Sequence, residues 1–101
     1  MTKTLADFVR EARARICEIS VEEFDEMIEN HDDVLVVDVR EAEEFHRGHI
    51  PGALLIPRGI LESAADTNCP MRVDKLCAAR DGTIIVCSQY NARSALAADT
   101  L

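Results

Sequence analysis

The chain has 101 residues and a mass of 11.2 kDa, which is enough for one hydrophobic core and too little for two. Hydrophobic residues make up 48% and charged residues 30%, a composition that is ordinary for a globular domain and argues against disorder. The net charge of −8 argues against nucleic acid or an anionic membrane as partner of the whole surface, because phosphates are bound by clustered Lys and Arg. No apolar run approaches the roughly 20 residues that span a bilayer, and no signal-peptide core follows Met1.

The N-terminal third is predicted to contain two helices. Apolar residues at helical spacing between Thr4 and Arg15 predict an amphipathic helix, and we interpret residues 1–15 as an N-terminal helix that precedes a domain at residues 16–101. The alternation from Ile16 to Ile19 favours an edge strand. Ser20 and Glu23 form a capping-box pattern that opens the second helix, which ends in the turn residues 30–33.

Two strongly apolar strands are predicted further along the chain. Val34 to Val37 and Thr83 to Val86 are β-branched runs, which is typical of parallel strands buried on both faces. Between them we predict a short helix over residues 41–47, a short strand over residues 54–56 and two short helices within residues 58–80. A final helix runs over residues 93–101, and the chain ends there without a C-cap.

The order of these elements predicts the fold class. Strands that alternate with helices are typical of an α/β domain with an open, mostly parallel sheet flanked by helices on both faces. In such sheets, ligands bind beyond the carboxyl ends of the strands, where Asp38 and Cys87 stand in this sequence. The missing C-cap favours a short or C-terminally truncated domain.

The segment after Cys87 has the chemistry of an anion site. A short polar loop leads to Arg93 and a helix, and such a loop can direct several backbone N–H groups inward while the helix dipole adds positive charge. We expect this arrangement to lower the pKa of the Cys87 thiol and favour the nucleophilic thiolate, with the Arg93 guanidinium holding an oxyanion. The alternatives are a buried structural Cys87 and an Arg93 on the helix surface.

The other cysteines and the histidines indicate no further chemistry. Cys17 and Cys77 lie in apolar periodic segments and are predicted to pack, whereas Cys69 lies in a polar loop. With no CxxC pair and no sign of secretion, we expect reduced thiols and a cytoplasmic protein. His46 and His49 with the distant Cys69 do not make a convincing zinc site, and we predict no metal.

Two stretches of the sequence resemble rhodanese-like domains. The family's N-terminal signature is similar to Val36-Val37-Asp38-Val39-Arg40-Glu41-Ala42-Glu43-Glu44-Phe45, continued by Gly48-His49-Ile50-Pro51-Gly52-Ala53-Leu54-Leu55-Ile56-Pro57. Thr83 to Cys87 with Arg93-Ser94-Ala95-Leu96-Ala97-Ala98 is similar to its active-site strand, loop and helix. The resemblance runs from about Ile16 to the end. The family continues with another strand and a closing helix, so the resemblance implies a domain that is incomplete here.

The resemblance implies a sulfurtransferase that needs no cofactor. Cys87 would carry sulfur as a persulfide, taken from thiosulfate or a similar small-molecule donor and passed to a thiol or cyanide. The substrate would be bound by the loop and by a basic residue near the mouth of the site, namely Ser88, Gln89, Tyr90, Asn91, Ala92, Arg93 and Arg58. Asp38 and His49 match positions that mainly hold the scaffold together.

Two other functions remain open at this stage. Five residues separate Cys87 from Arg93, one more than is usual in such sulfurtransferases, and this spacing is similar to the related phosphatases and arsenate reductases. Against that interpretation, the loop holds no Asp, Glu or His that could protonate a leaving oxygen, and Val86 stands where those relatives commonly have His. A non-catalytic binding module is the other alternative.

The acidic residues could also have a function. Twelve Asp and Glu residues fall between Glu18 and Glu44, with Arg40 nearly alone against them. They form either a solvated surface or a docking face for a basic protein partner.

Overall fold

A computed structural model of the chain describes residues 2–30, 33–88 and 91–101, without the side chains of Asn91 and Ala92. Its centre is a three-stranded parallel sheet in the order β2-β1-β3. The strands are β1 (Val34–Asp38), β2 (Leu54–Leu55) and β3 (Thr83–Cys87). Six helices flank them, namely α1 (Leu5–Arg13), α2 (Val21–Asn30), α3 (Ala42–Arg47), α4 (Leu61–Ala65), α5 (Asp74–Ala79) and α6 (Asn91–Thr100). The predicted α/β class with a parallel open sheet is confirmed.

Strand β1 lies at the centre of the sheet and sets the register of its neighbours. Val37 is opposite Val86 of β3, and Asp38 is opposite Cys87. Side chains alternate between the two faces of a strand, so Val37 and Val86 share one face while Asp38 and Cys87 share the other. Val37 is fully buried, and the main core joins its face to α4, α5 and α6 through the buried Leu61, Ala64, Leu76 and Ala97.

The first two helices begin as the sequence predicts. Thr4 and Ser20 are the N-terminal caps, and each makes the reciprocal hydrogen bonds of a capping box, with Asp7 and Glu23 respectively. Helix α1 packs against α6, where the Arg15 guanidinium holds both oxygens of Asp99 at 2.6 and 2.7 Å. No helix in the described part of the chain is long and apolar enough to cross a membrane.

A tight turn carries the chain from α3 into β2. The Ala53 amide donates to the Ile50 carbonyl at 3.0 Å, and Gly52 has φ +83°. Proline at the second position and a glycine of positive φ at the third are the requirements of a type II turn. After β2, a 3-10 turn at Arg58–Ile60 leads into α4, and α5 follows, so both short helices that the sequence predicts within residues 58–80 are present.

Two predictions about the sheet are wrong. Residues 16–19 form no strand; together with β3 and α6 they line a groove of about 560 Å³. Strand β3 is therefore an edge strand of the described sheet, and none of its residues is fully buried. Its apolar sequence correctly predicted a strand but not a strand covered on both faces.

Candidate functional site

The carboxyl ends of β1 and β3 open into one cavity. It has a volume of about 300 Å³ and is lined by six of the described residues, Asp38, Arg40, His49, Ile50, Cys87 and Ser88. Asp38 and Cys87 come together because they are register partners on the same face of adjacent strands. These two strand-end residues therefore share one cavity, as the parallel topology predicts.

Cys87 is partly buried at the base of the cavity. Its Sγ donates a weak hydrogen bond to the Val37 carbonyl at 3.6 Å. Burial raises the pKa of the Cys87 thiol to about 11, the negative charge of Asp38 raises it further, and only Arg40 acts in the opposite sense. The predicted lowering of this pKa is therefore wrong. The sequence reasoning counted the helix and the loop amides, but not the desolvation or the carboxylate on the neighbouring strand.

Asp38 and Arg40 form a partly buried ion pair beside the thiol. Asp38 is only 1% exposed, and its carboxylate accepts from the Arg40 backbone N–H at 3.0 Å and from Nη2 at 2.8 Å. Burial alone would raise the pKa of Asp38, but the hydrogen bonds from the side chain and backbone of Arg40 outweigh it and hold the pKa below its usual value. Arg40 also donates to the Gly48 carbonyl at 2.8 Å. The sequence reasoning missed Arg40 as a site residue, although its place two residues after a strand-end Asp was a usable signal.

Arg93 is held by a carboxylate that the sequence analysis had assigned to the acidic surface. Its Nη1 and Nη2 donate to the two oxygens of Glu44, each at 2.9 Å. The Arg93 hydrogen bonds, together with the Glu41 backbone N–H, lower the pKa of Glu44 to about 2. The pair joins the start of α6 to α3, so the guanidinium that was predicted to bind an oxyanion already has an anionic partner within the protein.

The loop between Cys87 and α6 is described at its two ends. The Ser88 hydroxyl accepts a hydrogen bond from the Ser94 backbone N–H at 3.2 Å, which ties the start of the loop to the first turns of α6. Gln89 and Tyr90, and the side chains of Asn91 and Ala92, were predicted to bind substrate and lie outside the described residues. Ser88 lines the cavity beside Cys87, and its substrate-binding role stays a prediction.

Arg58 does not belong to this cavity. Its guanidinium donates to Glu62 at 2.8 Å and to the Thr100 hydroxyl at 3.2 Å, and it is not among the described residues that line the space around Cys87. Its predicted role in substrate binding stays a prediction, since its described contacts lie at the other end of α6. The 3-10 turn that begins at Arg58 directs its side chain to the last turn of α6, an orientation that the linear sequence does not reveal.

His49, which the sequence analysis assigned to the scaffold, also lines the cavity. Its ring stacks on Phe45, with centroids 3.7 Å apart and planes 9° apart, and Nδ1 lies 2.9 Å from the Phe45 carbonyl oxygen. The scaffold interpretation describes those two contacts, yet the same side chain lines the cavity of Cys87. The turn after α3 brings His49 beside the cavity, a placement that local sequence patterns do not reveal.

The remaining cysteines lie elsewhere. Cys17 is exposed, so the prediction that it packs in the core is wrong, because the segment expected to be a strand does not join the sheet. The Cys77 thiol is partly buried and donates to the Ala64 carbonyl at 3.4 Å. Within the described ranges, no group of three or more His, Cys, Asp or Glu residues is arranged to hold a metal ion.

Comparisons with known proteins agree with this architecture. The structure is similar to that of a protein of unknown function from Rhodopseudomonas palustris CGA009, described as a possible tyrosine phosphatase. The TM-score is 0.89 and the sequences are 28% identical, over 99% of this chain and 76% of the other.

A sequence relative from Bacillus subtilis (strain 168) is named "Putative sulfur carrier protein YrkF". It is 39% identical over 56 residues, which are 55% of this chain and 30% of that protein, so the match spans less than a third of the relative's length. The model of the rhodanese-like domain family matches residues 20–101, which include β1, β3 and the whole cavity lining. The chain belongs to the rhodanese-like domain family.

Proposed function

We propose that this protein is a sulfurtransferase in which Cys87 carries the sulfur. Cys87 accepts a sulfane sulfur from thiosulfate or a similar donor and passes it to a thiol or to cyanide. The observation that carries this proposal is the position of Cys87: it lines an open cavity at the carboxyl ends of two parallel strands, beside Arg40 and Ser88. Membership of the rhodanese-like family and the name of the Bacillus subtilis relative support the same chemistry.

The reaction proceeds in two nucleophilic steps. The Cys87 thiolate attacks the outer sulfur of thiosulfate, the S–S bond breaks, and sulfite leaves with the electron pair. The Cys87 persulfide that remains is then attacked at its outer sulfur by the acceptor, which regenerates the thiolate. Arg40 and the loop N–H groups from Ser88 onward stabilise the anionic donor and the persulfide. The cycle is ping-pong, because the first product leaves before the acceptor binds.

The charge state of the site favours sulfur transfer over phosphate-ester cleavage. Hydrolysis of a phosphate ester is helped by a group that protonates the leaving oxygen, whereas sulfite leaves without a proton. Hydrogen bonds hold the pKa of Asp38 below its usual value and that of Glu44 at about 2, so neither carboxylate carries a proton at neutral pH. Both carboxylates are therefore acceptors only.

A phosphatase is the second candidate. The five residues between Cys87 and Arg93 and the description of the Rhodopseudomonas palustris relative favour it. A phosphate in the loop would need the Arg93 guanidinium, which both oxygens of Glu44 occupy. Phosphate binding by Arg93 would therefore have to displace a bidentate carboxylate.

One pair of assays distinguishes these candidates. Purified protein is incubated with thiosulfate and cyanide, and separately with an aryl phosphate, and the Cys87→Ser variant serves as the control in both. We expect thiocyanate to form with the wild type, none to form with the variant, and no Cys87-dependent phosphate release. Phosphate release without thiocyanate would overturn the proposal in favour of the phosphatase. A folded protein that is inactive in both assays would indicate a non-catalytic binding module.

One class of thiol acceptor in this proposal is a protein with a basic surface. Helix α2 exposes a run of carboxylates on the described surface, Glu22, Glu23, Asp25, Glu26 and Glu29. These charges complement a basic partner and speed its approach at low ionic strength. Glu44 is not part of this surface, because its carboxylate is bound to Arg93.

A further inference from the structure

Two arginines lie at the end of the sheet where the thiol is, and a carboxylate neutralises each of them. Arg40 lines the cavity of Cys87 and is bound to Asp38 at 2.8 Å. Arg93 lies in the first turn of α6, after the loop that follows Cys87, and is bound to Glu44 at 2.9 Å. The charges of these four groups sum to zero. The two pairs therefore offer a bound anion no net positive charge.

The pair of Glu44 and Arg93 is held in place from both sides. Nη1 and Nη2 of Arg93 donate to the two carboxylate oxygens of Glu44, each at 2.9 Å, which is the bidentate geometry of a strong ion pair. Oε1 of Glu44 also accepts from the Glu41 backbone N–H at 3.2 Å, within the capping box that begins α3. The side chains of Glu44 and Arg93 are 22% and 31% exposed. An anion that competes for the guanidinium has to break these bonds.

The pair is connected to the thiol site without lining it. Ser94, which follows Arg93, donates its backbone N–H to the Ser88 hydroxyl at 3.2 Å. Ser88 in turn lines the cavity next to Cys87. The loop between Cys87 and Arg93 contains no other Lys or Arg. Neither Arg93 nor Glu44 is among the described residues that line the cavity, so a change of the carboxylate alters the charge that an anionic donor meets and leaves the described walls of the cavity as they are.

We propose that Glu44 determines which sulfur donors the site prefers, an inference that rests on the sulfur transfer proposed above. By occupying Arg93, its carboxylate disfavours donors with two negative charges, such as thiosulfate, relative to organic persulfides, whose reacting form R–S–SH carries no charge on sulfur. The Cys87 thiolate attacks the outer sulfur of R–S–SH, and a new S–S bond forms. The original S–S bond breaks, RS⁻ leaves with the electron pair, and the outer sulfur keeps its hydrogen. No oxyanion is bound or released, so this step does not need the guanidinium.

The test compares donors of different charge on variants of one carboxylate. Glu44→Gln removes the charge and keeps an oxygen that can accept from Glu41 or Arg93, and Glu43→Gln, at an exposed neighbour on α3, is the matched control. The rate of sulfur loading on the Cys87 peptide is measured by mass spectrometry against the concentration of thiosulfate or of cysteine persulfide. For Glu44→Gln we expect the half-saturating thiosulfate concentration to fall about tenfold, because the donor gains a hydrogen bond from a charged group. The maximal rate and the loading from cysteine persulfide change little.

Two further variants decide whether the effect acts through Arg93. Adding Arg93→Gln to Glu44→Gln should cancel the gain, because the resulting pair of amides contains no cation. Glu43→Gln should load as the wild type does. A folded Glu44→Gln with the donor preference of the wild type would overturn the inference. Weaker loading from thiosulfate would overturn it too, since Glu44 would then only position Arg93 for the donor.

Two alkylating agents separate a failure of this inference from a failure of the proposed function. Iodoacetate carries a negative charge and iodoacetamide carries none, and both modify Cys87 without any sulfur transfer. If Cys87 takes no sulfur from either donor, the proposed function fails, while the ratio of the iodoacetate rate to the iodoacetamide rate still tests the charge of Glu44. We expect this ratio to rise in Glu44→Gln and to stay unchanged in Glu43→Gln. An unchanged ratio in Glu44→Gln would overturn the inference as well.

Discussion

Asp38 has two effects: its charge raises the pKa of the Cys87 thiol, and its hydrogen bonds with Arg40 stabilise the fold. Replacing Asp38 by Asn separates the two. The pKa of the Cys87 thiol is raised from its ordinary 9.0 to about 11, mainly by burial and in addition by the negative charge of Asp38. At pH 8 this lowers the thiolate fraction from about a tenth to about a thousandth. Asn removes the charge and leaves Arg40 uncompensated, while the burial remains. We expect the pKa to fall by about one, which gives about tenfold more thiolate at pH 8.

The same substitution weakens the fold. Asp38 is almost fully buried, and its carboxylate receives three hydrogen bonds from the Arg40 side chain and one from the Arg40 backbone. Removing one partner of a buried ion pair costs about 3–5 kcal/mol, and because Asn keeps some of the bonds we expect about 3 kcal/mol. Faster chemistry in a less stable protein is a combination that a purely structural role for Asp38 does not predict.

The assay compares alkylation of the Cys87 peptide across about pH 6 to 10 with urea unfolding of the same samples. Asp74→Asn is the matched control: it removes an equal charge from an ion pair with Arg72, but the Asp74 side chain is 91% exposed. We expect this control to change stability by less than about 1 kcal/mol and to leave Cys87 unaffected. A folded Asp38→Asn whose Cys87 reacts no faster than the wild type would refute the electrostatic account of the thiol.

Three further predictions concern stability. Because the pKa of Cys87 is raised from 9.0 to about 11, the protonated thiol stabilises the fold fully below pH 9, and this stabilisation is lost as the pH rises toward 11. Cys87→Ser should therefore abolish about 1–2 kcal/mol of the loss of stability that urea titrations detect at alkaline pH. Because the pKa of Glu44 is lowered from 4.5 to about 2, the stability that its pair with Arg93 contributes is present above pH 4.5 and is lost as the pH falls toward 2. Glu44→Gln should remove this dependence of the unfolding free energy on pH, and a variant with the wild-type dependence would contradict the pairing. Leu76→Ala in the core should cost about 3 kcal/mol in urea unfolding, whereas Leu5→Ala, at a residue 64% exposed, should cost less than about 1.

Local patterns predicted most of the fold. The capping box at Ser20 and the β-branched run before Asp38 each depend on interactions within a few residues, and the structure has both. The failures concern partners distant in the chain. The alternation from Ile16 to Ile19 is typical of a strand, but a strand needs a neighbour, and a groove separates this segment from β3.

The position of the cavity could be predicted from the sequence, but the electrostatics around the thiol could not. Cys87 and Asp38 were located at the strand ends because parallel topology brings those ends together. The thiol pKa depends on desolvation and on which carboxylate lies across the sheet, and neither can be derived from the residues next to Cys87. Likewise, Glu44 and Arg93 are 49 residues apart in the chain, so their contact could not be predicted from local sequence.

The most direct test of the central claim is the mass of the protein after incubation with thiosulfate. We predict a gain of one sulfur atom per chain, located on the Cys87 peptide, lost on addition of cyanide and absent in Cys87→Ser. A folded wild-type protein that gains no sulfur, or gains it on the exposed Cys17 while Cys87 stays unmodified, would contradict the account.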